Sequence, residues 1–157
     1  ALADSLKIVA FGDSLTAGYG LRPEFAFPVR LQAILKAKGF DVEVANAGVS
    51  GDTTAGGMDR LDWAVPQGTD AVILELGAND ALRALPPERT RANLENIVKQ
   101  LKARNIPVLI AGMAAPRGLG DDYVKAFDSI FPDLAKKYDL ILYPFFLDGV
   151  PFFASYP

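Results

Sequence analysis

A chain of 157 residues is about the size of one domain, and it is long enough to bury roughly two thirds of the surface that the unfolded chain exposes. Half of its residues are hydrophobic, no apolar run reaches transmembrane length, and the net charge is −3 with both signs interspersed; we therefore expect a soluble globular protein without nucleic-acid partners. The chain contains neither cysteine nor histidine, so it lacks the commonest general base and the commonest neutral metal ligand.

The first predicted element is a short buried strand over residues 6–11, an apolar run that a glycine stops. Gly12-Asp13-Ser14 follows, so a serine hydroxyl lies at the carboxyl end of the strand, the edge at which open α/β sheets bind ligands. This serine is a candidate nucleophile, although a cap formed by Asp13 or Ser14 on the next short helix explains the same residues. A phosphate-binding loop over residues 12–20 is a further alternative, which the missing lysine and glycine spacing of a P-loop disfavours.

Strand-like and helix-like patterns alternate along the rest of the chain. This alternation predicts an α/β fold with a parallel sheet, right-handed crossovers and helices on both faces, in a single domain over residues 1–157. The predicted strands after the first cover residues 41–45, 70–76, 107–111 and 140–143, and the predicted helices cover 28–38, 53–63, a segment around 94–101, and 123–138.

Polar or glycine-rich motifs follow three of the predicted strands. Ser14 lies in Gly-Asp-Ser-Leu, Gly51 in Asn-Ala-Gly-Val-Ser-Gly-Asp, and Asn79 in Gly-Ala-Asn-Asp. Because the carboxyl ends of parallel strands meet at one edge of a sheet, we expect a serine hydroxyl, a glycine N–H and an amide group to face the same small volume. Acyl transfer requires a nucleophile beside hydrogen-bond donors of this kind, since negative charge grows on the carbonyl oxygen.

Structural interpretations of the same residues stay open at this point. Gly51 also suits a turn that needs a positive φ, and Asn79-Asp80 suits a helix cap. Asp13 is expected to form local hydrogen bonds that shape the serine turn. Asp52 and Asp80 suggest a metal site, but in the absence of histidine, cysteine and a calcium-loop motif we predict none.

Together the three motifs resemble the blocks of the SGNH, or GDSL-type, hydrolase family, and most closely those of its bacterial thioesterase, lysophospholipase and arylesterase branch. The resemblance runs from about residue 6 to about residue 150, with the blocks in the family's order. It implies a flavodoxin-like three-layer sandwich with a five-stranded parallel sheet in the order 2-1-3-4-5. It also implies Ser14 as nucleophile, the Ser14 N–H, the Gly51 N–H and the Asn79 amide as oxyanion hole, and hydrolysis of small acyl esters or thioesters without a cofactor.

The sequence departs from this family at its carboxyl end. The family completes its catalytic triad with an Asp-x-x-His block before a final helix, whereas here the pattern fails after residues 144–150 and no histidine base is present. Asp148 cannot replace both missing residues. Loss of a triad member leaves only about 10³–10⁴-fold catalysis over water, so we expect a shortened or altered esterase whose activity is impaired. A catalytically silent acyl- or carbohydrate-binding relative is the alternative, and a partner chain that donates a base is a third arrangement.

Three further expectations concern the surroundings of this site. The loop that contains Arg117 and Leu119 follows the fourth strand and is predicted either to line the substrate pocket or to form a plain surface turn. The aromatic residues of the segment 151–157 make it apolar, so we expect it to pack on the surface that the missing helix would cover or against another chain in a homo-oligomer. The small-x-small pattern of Ala1-Leu2-Ala3 indicates a periplasmic or secreted protein, with the cytoplasm as the alternative location.

Overall fold

A five-stranded parallel β-sheet lies at the centre of the molecule. The structure, a computed structural model, describes residues 5–150. The strands are β1 (Leu6–Gly12), β2 (Val42–Gly48), β3 (Ala71–Glu75), β4 (Val108–Ala111) and β5 (Ile141–Tyr143). Their order across the sheet is β2-β1-β3-β4-β5 and every neighbouring pair is parallel, so the predicted α/β class and strand order are confirmed.

Helices occupy most of the crossovers between these strands. Within residues 5–150 they are α1 (Ser14–Ala17), α2 (Phe27–Ala37), α3 (Thr54–Ala64), α4 (Ala78–Leu82), α5 (Pro87–Ala103), α6 (Asp121–Asp128) and α7 (Ile130–Tyr138), with short 3-10 turns at Pro23–Phe25 and Arg117–Leu119. Among these described residues, none of the helices combines the length and apolar character that crossing a membrane requires.

The two faces of the sheet have separate cores, because successive side chains of a strand point to opposite faces. Val9 and Phe11 of β1 enter the larger core, while the intervening Ala10 packs with Val42 and Val44 in the smaller one. The smaller core is covered by apolar residues of α2. The larger core is filled from α3, α5, α6 and α7, whose fully buried side chains are Leu61, Leu94, Ile97, Leu101, Phe127, Ile130, Phe131 and Leu134. Helices therefore lie on both faces, as predicted.

An apolar groove of about 500 Å³ lies along the same sheet face as α2, beyond the part that α2 covers. Its floor is formed by Ile73, Leu109 and Ala111, the strand residues that alternate with those of the larger core. Its walls are Leu15, Leu21, Phe25, Phe27, Leu31, Tyr143, Phe146 and Val150. The segment 151–157, predicted to pack either on the surface that the missing helix would cover or against another chain, lies outside the described residues, as does Ala1-Leu2-Ala3.

The predicted helix over residues 123–138 differs from the structure, which contains two helices in this region. The first, α6, ends at Asp128, and α7 begins at Ile130. Pro132 explains the break, because it has no N–H to donate to the Asp128 carbonyl four residues earlier and its ring clashes with that carbonyl in a continuous helix. The intervening Ser129 keeps helical dihedrals, with φ −74° and ψ −16°, so the chain bends without reversing direction.

Candidate active site

Ser14 is the first residue of the short helix α1 and lies two residues beyond Gly12, the last residue of β1. The cap of this helix is Asp13, whose side chain accepts a hydrogen bond from the Leu15 N–H at 3.0 Å. The local hydrogen bonding predicted for Asp13 is therefore confirmed. The Ser14 N–H, the first of the helix, has no acceptor within α1, as is general for first-turn N–H groups.

A buried carboxyl group supports this turn from below. Glu75, the last residue of β3, accepts hydrogen bonds on Oε1 from the Thr16 hydroxyl at 2.7 Å and from the Asp13 N–H at 3.3 Å. Burial, and secondly the neighbouring Asp13 carboxyl, raises the pKa of Glu75 well above its usual value. Burial also raises the pKa of Asp13, which the hydrogen bond from Leu15 partly offsets. Gly12 makes the arrangement sterically feasible, because a Cβ there would lie 2.6 Å from Glu75 Oε1.

Asn79 lies in helix α4, which follows the carboxyl end of β3, the strand beside β1 in the sheet. Gly77 precedes this helix with φ +122°, a conformation that L side chains rarely adopt, and so it lets the chain turn directly from β3 into α4. The Asn79 amide donates one hydrogen bond, to the Asp52 carbonyl at 2.9 Å. An amide has two N–H groups, so this bond fixes the orientation of the side chain and leaves the second N–H for another acceptor.

The neighbouring Asp80 has a structural role, as an acceptor of hydrogen bonds from two other helices. Its buried carboxylate accepts hydrogen bonds from the Thr54 N–H at 2.9 Å, the Thr54 hydroxyl at 2.6 Å and the Thr90 hydroxyl at 2.8 Å. It thereby joins the start of α3 and the first turn of α5 to the helix that carries Asn79. In the residues that the structure describes, no group of three or more acidic, histidine or cysteine side chains is placed to hold a metal ion.

Gly51 lies in the turn between β2 and α3. Its φ is +81° and a Cβ would meet no atom within 4 Å, so the position favours glycine because of its backbone conformation alone. Its carbonyl accepts a hydrogen bond from the Arg83 guanidinium at 3.0 Å. The structure therefore agrees with the interpretation of Gly51 as a turn glycine that needs a positive φ. Its predicted place in an oxyanion hole stays a prediction.

Arg60 of α3 connects two strand ends and one turn around the site. Its buried guanidinium donates to Asp52 Oδ2 at 2.7 Å, to the Ala47 carbonyl at 2.8 Å and to the Gly12 carbonyl at 2.9 Å, and it lies 4.3 Å above the Phe11 ring. The ends of β1 and β2 are therefore tied to the turn after Gly51, the same turn that orients Asn79 through its Asp52 carbonyl.

Two of these residues, Glu75 and Arg60, were missed by the sequence analysis. Glu75 was included in an apolar strand as the one charged residue within its apolar run 71–76, which was the available signal, since a carboxyl on a strand buried on both faces needs a partner. Arg60 gave no comparable signal, because it lies in a predicted helix with other charged positions and nothing local shows that it is buried.

The structure brings Ser14 and Asn79 to one cavity of about 260 Å³. The rest of its lining is mainly apolar and consists of Asp13, Leu15, Ala78, Leu82, Met113, Ala114, Pro116 and Leu147. Arg117 and Leu119 do not line this cavity. They form a 3-10 turn just beyond Pro116, in which Arg117 pairs with Asp128 at 2.8 Å, and their predicted contribution to the substrate pocket stays a prediction.

Comparisons with known proteins agree with this geometry. The family described as GDSL-like Lipase/Acylhydrolase matches residues 10–155. An arylesterase of Vibrio mimicus is 40% identical over 147 residues, covering 93% of this chain and 74% of the relative. Thioesterase 1/protease 1/lysophospholipase L1 of Escherichia coli K12 is 39% identical over 151 residues, covering 96% of this chain and 70% of the relative.

Solved structures give the same result. The crystal structure of AlinE4, an SGNH-hydrolase family esterase, superposes with a TM-score of 0.91 at 46% identity, covering 96% of this chain and 81% of the other. The crystal structure of TesA superposes with a TM-score of 0.86 at 35% identity, covering 92% and 81%. With the Ser14 turn, the Asn79 helix and the strand order all in place, this chain belongs to the GDSL-like lipase/acylhydrolase family, the SGNH hydrolases.

Proposed function

We propose that this chain forms an acyl-enzyme at Ser14 from small acyl esters or thioesters, and that its turnover is slow because the chain contains no histidine. The observation that supports this most directly is that Ser14 and Asn79, whose amide is oriented by the Asp52 carbonyl, both line one small and mainly apolar cavity. The relatives with esterase and thioesterase names support the substrate class.

In the proposed reaction, Ser14 Oγ attacks the acyl carbon and the carbonyl π electrons move to oxygen. The Asn79 N–H that does not bind Asp52, together with the Ser14 and Gly51 N–H groups, stabilises this oxygen, a contribution typically worth about 10²–10³ in rate for one donor. The tetrahedral intermediate then collapses and expels the leaving group as an alkoxide or thiolate, which takes a proton from solvent, and the acyl group stays on Ser14. Water hydrolyses this ester and regenerates the hydroxyl.

The missing base determines which substrates react at a measurable rate. The Ser14 proton passes to solvent, because none of the 157 residues is a histidine. An unactivated serine is a weak nucleophile, so esters with good leaving groups, such as aryl esters, are favoured over alkyl esters. Deacylation has no general base either, so we expect acylation of an activated ester to be faster than release of the acid.

The cavity favours short acyl groups. Its volume of about 260 Å³ lies just below the range of about 300–1,000 Å³ that is usual for small-molecule sites. Leu15, Leu82, Met113 and Leu147 make its walls apolar, which suits a hydrocarbon chain and excludes a charged acyl group.

The alternative is a catalytically silent relative that binds an acyl or carbohydrate ligand in the same cavity. The two proposals differ in one property, the covalent use of Ser14. Ligand-induced stabilisation of the folded state occurs in both, whereas release of a leaving group that depends on Ser14 occurs only in the enzyme.

The experiment that separates them is stopped-flow hydrolysis of p-nitrophenyl butyrate by this chain, by Ser14→Ala and by Ser5→Ala, in increasing concentrations of free imidazole. Ser5 lies at the opposite end of β1 and serves as the matched serine control. We expect a burst of one nitrophenol per chain in the parent protein and in Ser5→Ala, followed by slow turnover that imidazole accelerates as an external base. No burst is expected in Ser14→Ala.

Identical traces for the parent protein and Ser14→Ala at every imidazole concentration would refute the enzymatic proposal. Stabilisation by butyrate in that case would favour the silent binding protein. The export indicated by Ala1-Leu2-Ala3 and the assembly through the segment 151–157 stay predictions, since both depend on residues outside those described.

A further inference from the structure

Two carboxyl groups lie buried directly beneath the Ser14 turn, and half of their oxygens have no partner. Asp13 Oδ1 accepts from the Leu15 N–H, and Glu75 Oε1 accepts from Thr16 and from the Asp13 N–H. The other two oxygens, Asp13 Oδ2 and Glu75 Oε2, are buried without a hydrogen-bond partner. These are the two buried side-chain polar atoms left unsatisfied in the part of the chain that the structure describes.

The two carboxyl groups belong to neighbouring residues, since Glu75 Oε1 accepts from the Asp13 N–H at 3.3 Å, and one proton shared between the carboxyls would satisfy both atoms at once. An ionised carboxylate only accepts hydrogen bonds, so two ionised groups leave both oxygens orphaned and place two negative charges side by side in a buried site. A protonated carboxyl has one O–H to donate, and the partner oxygen then has a donor. Each buried unpaired oxygen otherwise costs about 1–3 kcal/mol, and more when it is charged.

We propose that Asp13 and Glu75 hold one proton between them at neutral pH, carried on Oε2 of Glu75 and donated to Oδ2 of Asp13, and that this pair positions the Ser14 turn. The proton belongs on Glu75 because the Leu15 N–H and the start of α1 favour a charged Asp13. Both side chains are fully buried, at 0% exposure, so bulk solvent does not supply their unpaired oxygens with a donor. The inference does not depend on whether Ser14 is a nucleophile.

The charges around the pair favour a single proton. Asp52 lies in the neighbouring turn and raises the pKa of Asp13 further. Arg60 donates to the Gly12 carbonyl beside the pair, but its charge is already paired with Asp52 at 2.7 Å. Strand β4 beside β3 reads Val-Leu-Ile-Ala, and α1 reads Ser-Leu-Thr-Ala, so neither contributes an ionisable group. Burial and the Asp13 carboxyl accordingly raise the pKa of Glu75 well above its usual value.

The pair connects to Ser14 through the backbone. Glu75 Oε1 accepts a hydrogen bond from the Asp13 N–H, and Asp13 Oδ1 accepts one from the Leu15 N–H. The two carboxyl groups therefore fix the backbone on either side of Ser14. When Glu75 ionises, repulsion between the two carboxylates acts on both of these bonds. We therefore expect the cap of α1 to weaken at the pH at which Glu75 titrates.

Stability should follow the same titration. A carboxyl whose folded-state pKa is raised keeps a proton that the unfolded chain has already lost. The contribution of this proton to the free energy of unfolding is complete below the ordinary pKa of a glutamate, and it is lost as pH rises through the folded-state pKa. For one proton the unfolding equilibrium constant changes by at most about tenfold per pH unit in this window.

The first test is an infrared measurement on the unmodified chain with ¹³C-labelled glutamate carboxyls. A band of one protonated glutamate at neutral pH, absent in Glu75→Gln and present in the matched exposed variant Glu43→Gln, is the expected result. Glu75→Gln keeps Oε1 as an acceptor and offers an amide N–H to Asp13, so it should fold and should lose the tenfold-per-unit pH dependence. A spectrum of the unmodified chain without that band overturns the proposal.

A second variant covers the case in which Glu75→Gln does not fold. In Asp13→Asn, the new amide donates to Glu75 Oε2 and the neighbouring negative charge is gone, so the pKa of Glu75 should fall and the band should disappear at a lower pH than in the parent protein. A band that persists to the same pH in Asp13→Asn as in the parent protein contradicts the shared proton. The positioning role is measured by hydrogen exchange of the Leu15 N–H, which should become faster with rising pH in the parent protein relative to Glu75→Gln, and equal rates contradict it.

Discussion

Replacing Arg60 with methionine is expected to destabilise this protein far more than the loss of an ordinary ion pair. The guanidinium is buried, with 9% of the side chain exposed against 11% for its partner Asp52. Methionine has a similar length and keeps the contact with the Phe11 ring, so the change removes the charge and the hydrogen bonds without opening a large cavity. What remains is a buried Asp52 carboxylate without its cation, and an Ala47 carbonyl without its guanidinium donor.

The magnitude follows from which groups lose their partners. Removing one member of a buried ion pair costs about 3–5 kcal/mol, because the other charge stays buried and uncompensated. The Gly12 carbonyl adds little, since it also accepts the Val49 N–H at 3.0 Å. For a chain of this size each kcal/mol shifts Tm by about 2–4 °C, so Arg60→Met should lower Tm by about 6–20 °C.

Urea unfolding followed by circular dichroism measures the effect directly. The matched control is Arg91→Met, which breaks an ion pair with Asp133 of similar length, 2.9 Å, but with 35% and 56% of the side chains exposed. Its expected cost is at most about 1 kcal/mol. Adding Asp52→Asn to Arg60→Met should recover part of the loss, because the orphaned charge disappears. If Arg60→Met costs no more than Arg91→Met, the loops are not held by this pair and the reasoning is wrong.

Two further substitutions test the strand ends. Asn79→Ala should lower the rate of Ser14 acylation by about 10²–10³-fold. It should also cost about 1 kcal/mol of stability, because one hydrogen bond to the Asp52 carbonyl is lost. An unchanged burst rate with p-nitrophenyl butyrate would show that the amide does not contribute to an oxyanion hole. Thr90→Val preserves shape but removes a buried hydroxyl that donates to the Asp80 carboxylate at 2.8 Å, so urea unfolding should report a loss of about 1.5–3 kcal/mol, and a cost near zero would contradict the structural position of Asp80.

The candidate site illustrates how far sequence reasoning reaches. Ser14 and Asn79 were predicted to meet because each follows a strand of a parallel sheet, and the structure places both at one cavity. Their functional roles rest on the family resemblance and stay proposals. The sequence was a poorer guide to which loop residues line the cavity, since Pro116 lines it while the neighbouring Arg117 pairs with Asp128 instead. Loop conformation over two or three residues decides such details, and it has no periodic signal.

Local patterns determined the fold class and the order of the elements. Apolar runs bounded by glycine and proline, and stripes at helical spacing, report whether a segment can bury one face, and this property does not depend on distant residues. The main error was the continuous helix across residues 123–138, where Pro132 interrupts the hydrogen-bond ladder.

Only the tertiary structure decided which charged residues are buried and with what partners. Glu75 meets the Asp13 N–H across 62 positions of sequence, and Arg60 meets the Gly12 carbonyl across 48. A carboxyl or a guanidinium is stable in a core only when distant parts of the chain bring hydrogen-bond partners to it, because burial without them costs more than most folds can tolerate. The sequence by itself determined the sheet and the serine at its edge, and the packing of distant segments determined what holds that serine in place.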